Sequence, residues 1–155
     1  MKNNYAKFGL MMLTSFIFMF IAMFFNVDKI DHIYWSHSRT YMALYMVGPM
    51  ALIMLAFMLP MYRDKKKNAI IVVSAVLITG FSIFFLRDQT TVKDIQYMKA
   101  MIPHHSIAIL VSQQATFEDP ETKQLAKEII EAQLREIAEM KKIINRLEHE
   151  EESSK

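Results

Sequence analysis

Three stretches of this chain carry no charged side chain: Phe8–Phe25, Tyr41–Met61 and Ala69–Leu86. About 20 apolar residues carry an α-helix across the hydrocarbon of a bilayer. Inside hydrocarbon only a helix or a closed barrel satisfies its own backbone. The three runs therefore predict three membrane-spanning helices, over residues 8–25, 41–61 and 69–86. The first run is too long and too aromatic for a signal peptide, lacks a small-residue cleavage site, and is followed by further spans.

Lysine and arginine near the span ends set the expected orientation. Lys2 and Lys7 precede the first span, and Arg63, Lys65, Lys66 and Lys67 fill the short connection between the second and third. Both segments are expected in the cytoplasm. The connection at 26–40 sets Asp28 and Asp31 against Lys29 and Arg39, so it carries no strong retention signal. It is expected outside, with Tyr34, Trp35 and Tyr41 as an interfacial belt, and residues 87–155 are expected outside with it. This gives a multi-pass cell-membrane protein with a cytoplasmic N-terminus and an extracytoplasmic (periplasmic or outer-surface) C-terminal domain.

The charge balance divides the chain at the same place. Residues 1–90 carry 9 basic and 4 acidic side chains, and residues 91–155 carry 9 and 12. The expected organisation is a three-helix membrane region over 1–88, an extracytoplasmic helical hairpin over 89–150, and a disordered acidic tail over 151–155. Thr91 with Asp94 three residues on has the form of a helix N-terminus with a reciprocal cap. Helical periodicity continues to about Thr116, Glu118-Asp119-Pro120 interrupts it, and a second helix runs from Pro120 or Glu121 to about Glu150. Two helices alone bury little surface, so a four-helix bundle closed by homo-oligomerisation, most simply a dimer, is the expected architecture.

At about 100° per residue, Met98, Met101 and His105 share one face of the first hairpin helix with Asp94, Ile109 and Ser112. His104 points about a quarter turn away, and Pro103 removes one helical hydrogen bond. On the second helix the apolar arc from Leu125 to Leu147 is centred near Gln133, with Met140 beside it and Glu136 inside its edge. Lys127, Glu128, Glu131, Arg135, Glu139, Lys142 and Asn145 form the opposite face. Packing the stripes brings Met98, Met101 and His105 opposite Gln133, Glu136 and Met140. Thioethers with an imidazole form a soft, neutral donor set suited to Cu(I), and to Ag(I) by the same argument, and poorly suited to Mg or Ca. The bland alternative is core packing: methionine commonly fills gaps in helical cores, and a Gln and Glu inside an apolar arc can fix register.

The run Tyr97-Met98-Lys99-Ala100-Met101-Ile102-Pro103-His104-His105 and the later run Ile129-Ile130-Glu131-Ala132-Gln133-Leu134-Arg135-Glu136-Ile137-Ala138-Glu139-Met140 resemble a bacterial family. It is the ferritin-like domain-of-unknown-function family (number 305), which includes CopM-like periplasmic copper-binding domains. The resemblance covers about residues 91–148 and not the spans. It implies a helical bundle that binds copper through Met and His and supports copper tolerance outside the cytoplasm. Carried across, Met98, Met101, His104 and His105 match the first signature, and Gln133, Glu136 and Met140 match the second. Members often have more than one such hairpin, and this chain has one. Asn145 stands where a Trp is common, a departure that touches packing more than ligation.

Other classes fit less well. The chain has no cysteine, which removes disulfides, thiolate zinc sites, iron–sulfur clusters and Cys nucleophiles. No basic face accompanies an aromatic platform, so no nucleic-acid partner is expected. No Glu-x-x-His occurs, as di-iron oxidases of the ferritin type require, and His105 is followed by Ser106 where a phosphorelay His usually has an acid. No enzymatic activity is expected. The remaining alternatives are a structural, membrane-anchored oligomerisation module and copper transport along Met42, Met46, Met50, Met54 and Met58, which recur every four residues in the second span. A copper exporter or chaperone is the implied partner in addition to the bilayer. His32 and His37 are expected to be ordinary loop residues, and His149 a solvated residue of the tail.

Overall fold

The computed structural model describes residues 2–153. These are all-α: α1 (Lys2–Ala22), α2 (His37–Phe57), α3 (Lys65–Asp88), α4 (Asp94–Gln114) and α5 (Pro120–Ser153), with one 3-10 turn at Ile30–His32. They form two compact units, one of α1–α3 and one in which residues 24–36 join α4 and α5.

Among the described residues three helices are long and apolar enough to cross a membrane: α1 from Asn4, α2 and α3. Their ends differ from the uncharged runs because hydropathy marks the lipid-facing stretch while caps and turns set the helix. α3 begins at Lys65 because the Asp64 carboxylate accepts the Lys66 and Lys67 backbone N–H groups at 3.1 and 3.2 Å. Those bonds satisfy donors that a first turn leaves orphaned, and they hold the Asp64 carboxyl below its ordinary range. α3 ends at Gln89, which takes the left-handed conformation with φ 57°. α1 ends at Ala22, and the chain turns over Met23–Asn26. α2 stops at Phe57, so Met58 and Met61 lie in the following turn.

In the first unit α2 packs along α3 through small side chains. Ala43, Ala51 and Ala75 are buried. Gly48 approaches so closely that a Cβ there would lie 2.8 Å from the Ala75 carbonyl oxygen. Such seams are how helices associate in lipid, where apolar burial alone gives no preference. α1 joins through Phe8, which packs with Ala51, Leu55, Tyr62 and Ala75. Tyr5 fastens its start: its hydroxyl accepts the Asp64 N–H at 3.0 Å and bonds Asn68 Oδ1 at 3.0 Å.

In the second unit Met98, Ile102 and Ile109 of α4 meet Ile137 and Ile144 of α5. α4 starts at Lys93 without a side-chain cap. The expected Thr91 cap does not form, because the Thr91 hydroxyl bonds the Tyr41 hydroxyl at 2.8 Å instead. The α5 start is capped by Asp119, whose carboxylate accepts the Thr122 N–H at 2.6 Å, with Pro120 at the first helical position. That bond lowers the Asp119 pKa. α5 continues through residues 151–153, where a disordered tail was expected. Arg146 pairs with Glu150 at 2.8 Å, and the Ser153 hydroxyl donates to the His149 carbonyl. The last two tail residues, 154–155, lie outside the described residues.

Residues 24–36 lie on this hairpin. The Ser106 hydroxyl accepts the Asp28 N–H at 2.7 Å and meets His32 Nδ1 at 2.9 Å. Lys141 bonds Asp31 at 2.5 Å, and Tyr34 packs on the hairpin core. His32 and Ser106 are both buried, so His32 is a structural contact and not the loop residue that the sequence implied. Having accepted from Asp28, the Ser106 hydroxyl keeps one proton and one lone pair, so it serves His32 Nδ1 in either tautomer. Burial foremost, and then the Lys141 charge, hold the His32 pKa below its ordinary value.

Candidate metal-binding groove

Between α4 and α5 runs an open groove of about 560 Å³, whose lining includes Met98, Met101, His105, Glu136 and Met140. The helix period delivers these side chains. Positions 98, 101 and 105 are separated by three and four residues, which stacks them on one face of α4. Positions 136 and 140 are one turn apart on α5. Pro103 interrupts the hydrogen-bond ladder without ending α4 and is fully buried, so the face continues past it.

His105 is the best-positioned polar group in the groove. Its Nδ1 lies 3.0 Å from the Met101 carbonyl oxygen, and its Nε2 lies 2.8 Å from Glu136 Oε2. Both partners are acceptors, so whichever ring nitrogen carries an N–H has a protein oxygen to receive it. The Nδ1 bond orients the imidazole and leaves Nε2 as the position where a metal ion can replace a proton. The Glu136 side chain is 47% exposed, so it can swing away at little cost. Met98 is buried, Met101 and Met140 are half-buried, and all three thioethers reach the groove.

The structure separates the other two candidates from this cluster. His104 is exposed, its ring 6.3 Å from that of His105, and it does not line the groove. Gln133 is also outside the lining, yet its Oε1 is buried without a hydrogen-bond partner among the described residues. Such an atom costs free energy until something donates to it or coordinates it. Glu139, which a straight helical projection puts on the outer face, reaches the groove, as do Asp94 and Arg146 toward one end. Among the described residues no three His, Cys, Asp or Glu side chains converge to hold a metal ion. The groove offers three thioethers and one imidazole, a set of soft donors, with the carboxylates of Glu136 and Glu139 beside them.

The methionine row of α2 has a different setting. Met54 and Met58 pack against the Phe8, Leu55 and Tyr62 cluster, and Met46 is 44% exposed. His37 Nδ1 bonds the Thr91 carbonyl at 2.9 Å.

Comparison with known proteins bears on both parts of the chain. Residues 86–155 match the family model described as Domain of unknown function (DUF305). An uncharacterized protein of Acanthamoeba polyphaga mimivirus is 34% identical over 145 residues, covering 92% of this chain and 93% of the relative. No solved structure matches. The similarity to the viral protein thus extends through the apolar helices as well as the hairpin. With α4 and α5 supplying the matched domain, the chain belongs to the DUF305 family.

Proposed function

We propose that this chain is a membrane-anchored, extracytoplasmic protein that binds Cu(I), and Ag(I) as a surrogate, in copper tolerance or handling. The observation that carries the reading is the convergence of Met98, Met101, Met140 and His105 on one groove of the hairpin. Copper is the cargo, held by thioether sulfur and His105 Nε2. Glu136 is the group that yields, and His104 and Gln133 stand outside the first set of donors. The role is binding and not catalysis. The recipient would be a copper exporter or chaperone that meets the open side of the groove.

Two features support the placement. Residues 24–36 bond to the hairpin through Ser106 and Lys141, which supports a shared compartment for the two. Two apolar helices lie between them in sequence, and two crossings return a chain to the side it left. The basic run Arg63–Lys67 then belongs on the cytoplasmic side. A cysteine introduced at Glu150 should be labelled by an impermeant reagent in intact cells or spheroplasts. Labelling only after permeabilisation would reverse the orientation.

Oligomerisation belongs to the same reading. Val111 and Leu125 are both more than half exposed, and a second hairpin covering such positions would complete a four-helix bundle. A strictly monomeric species in mild detergent at micromolar concentration would contradict it.

One observation favours the purely structural alternative: both ring nitrogens of His105 already have protein partners. Anaerobic Cu(I) titration of the full-length protein against a competing chelator separates the two. Met101→Leu nearly preserves volume. It should keep the helix content and weaken binding by at least about tenfold, the loss that even an outer partner of a metal ligand causes. His105→Ala should weaken it further, and Met54→Leu should leave it unchanged. If Met101→Leu and His105→Ala both bind Cu(I) as the parent does, the groove is ordinary core.

A further inference from the structure

A second concavity lies in the other unit. α1 and α3 diverge over α2 and leave a groove of about 420 Å³. Gly48, Ala51 and Ala75 line it alongside Met12 and Ile78, and Tyr5 and Lys67 line its far end. Along α3 the lining runs from Lys67 to Ile78. At 1.5 Å per residue this is about 16 Å, close to half of the roughly 30 Å hydrocarbon thickness of a bilayer. The groove therefore has the length of one leaflet, apolar along its course and cationic at one end.

The charge at that end is not balanced locally. Arg63, Lys65, Lys66 and Lys67 stand against the single carboxylate of Asp64 within five residues, and all four cations are exposed. The Lys67 ammonium is 3.3 Å from Asp64 Oδ2 and 4.9 Å from the Tyr5 ring centre, which fixes it at the mouth while its side chain stays 49% exposed. Asp64 is already occupied as the α3 cap, so the cluster retains a net positive charge toward an incoming anion. Gly9 also lines the groove, and a Cβ there would meet nothing within 4 Å, so its missing side chain keeps the space open.

We propose that this groove is a binding site for one anionic phospholipid, its acyl chain lying along α2 between α1 and α3 and its phosphate at Lys67. Basic pockets between membrane helices recognise acidic headgroups in this way. The site is independent of the metal-binding reading, since it shares no residue with the hairpin.

The test uses the full-length protein in mild detergent, with phosphatidylglycerol and phosphatidylcholine of identical acyl chains as probes. Retained lipid is counted by native mass spectrometry. Phosphatidylglycerol should bind at least about five-fold more tightly than phosphatidylcholine, the factor that one lysine near an anionic surface supplies. Lys67→Gln should remove about that factor and leave phosphatidylcholine retention unchanged. Gly9→Leu should fill the groove and reduce retention of both lipids, whereas Gly80→Leu, also in open space but outside the groove, should not. Equal retention of the two lipids by the parent would overturn the headgroup assignment. Unchanged retention in Gly9→Leu, or a dimer that Gly9→Leu dissociates without any lipid effect, would overturn the site.

Discussion

Replacing Gly48 by alanine tests the α2–α3 seam against a built-in control. The added Cβ would fall 1.9 Å from Thr79 Oγ1, 3.3 Å from Thr79 Cβ and 2.8 Å from the Ala75 carbonyl oxygen. The Thr79 hydroxyl can rotate away, but it then gives up its 2.7 Å bond to that same carbonyl, worth about 1 kcal/mol. The Ala75 oxygen is backbone and can retreat only if α3 moves. Overpacking of this kind costs about 1–3 kcal/mol. Against it stands the helix preference of alanine over glycine, about 1 kcal/mol. The net expectation is a loss of about 1–3 kcal/mol.

Gly80→Ala supplies the reference, because it brings the same helix preference with nothing within 4 Å of the new Cβ. It should be neutral or slightly stabilising. Thermal unfolding of both variants in the same detergent, followed by circular dichroism, reads the difference directly. Gly48→Ala/Thr79→Ala should recover part of the loss, since the 1.9 Å clash with Oγ1 is gone and only the contacts with the Ala75 oxygen and the Cβ at 79 remain. If Gly48→Ala and Gly80→Ala unfold at the same temperature, the close approach of α2 and α3 is refuted.

Ser106→Ala leaves the Asp28 N–H and His32 Nδ1 without their shared partner and should destabilise the second unit by about 1–3 kcal/mol. Faster amide exchange over residues 24–36, with Cu(I) affinity unchanged, is the expected signature; unaltered exchange would show that the loop is held by other contacts. The His32 pKa is depressed in the fold, so the unfolded chain binds the proton more readily and stability rises with pH. The contribution is complete above the ordinary value of 6.5 and is lost as pH falls through the depressed folded value. His32→Gln should therefore flatten the acid side of the stability profile, and an unchanged slope below pH 6.5 would assign that loss to other groups. Asp119→Ala removes the α5 cap and should cost about 1 kcal/mol, visible as faster amide exchange confined to the first turn of α5.

Much of the architecture is legible in sequence because strong constraints write it there. A bilayer demands about 20 apolar residues per helix, and Phe8–Phe25, Tyr41–Met61 and Ala69–Leu86 answer that demand. Helix ends are less legible, since a cap is a local contest between side chain and backbone. Asp64 wins it by bonding two N–H groups, whereas Thr91 spends its hydroxyl on Tyr41. Met98, Met101 and His105 were legible as one face because the spacing is three and four. Glu139 at the groove was not, because a projection on one ideal helix ignores how far a long side chain reaches around it.

The loop contact could not be found by any periodicity. Asp31 and Lys141 are 110 residues apart, and His32 and Ser106 are 74 apart. What a sequence does display is the need for such a contact, since a two-helix hairpin buries too little surface to stand alone. The structure meets part of that need from within the chain, by laying residues 24–36 against the flank of α4 that carries Ser106. His105 is the neighbouring residue, about 100° around the helix, and it faces the groove instead. Closing one flank with the loop leaves the groove between α4 and α5 open, with His105 held in it by the Met101 carbonyl and Glu136. In the proposed function, a scaffold fixed from behind and a groove open on its other side are what would let these donors both take up a metal ion and give it away.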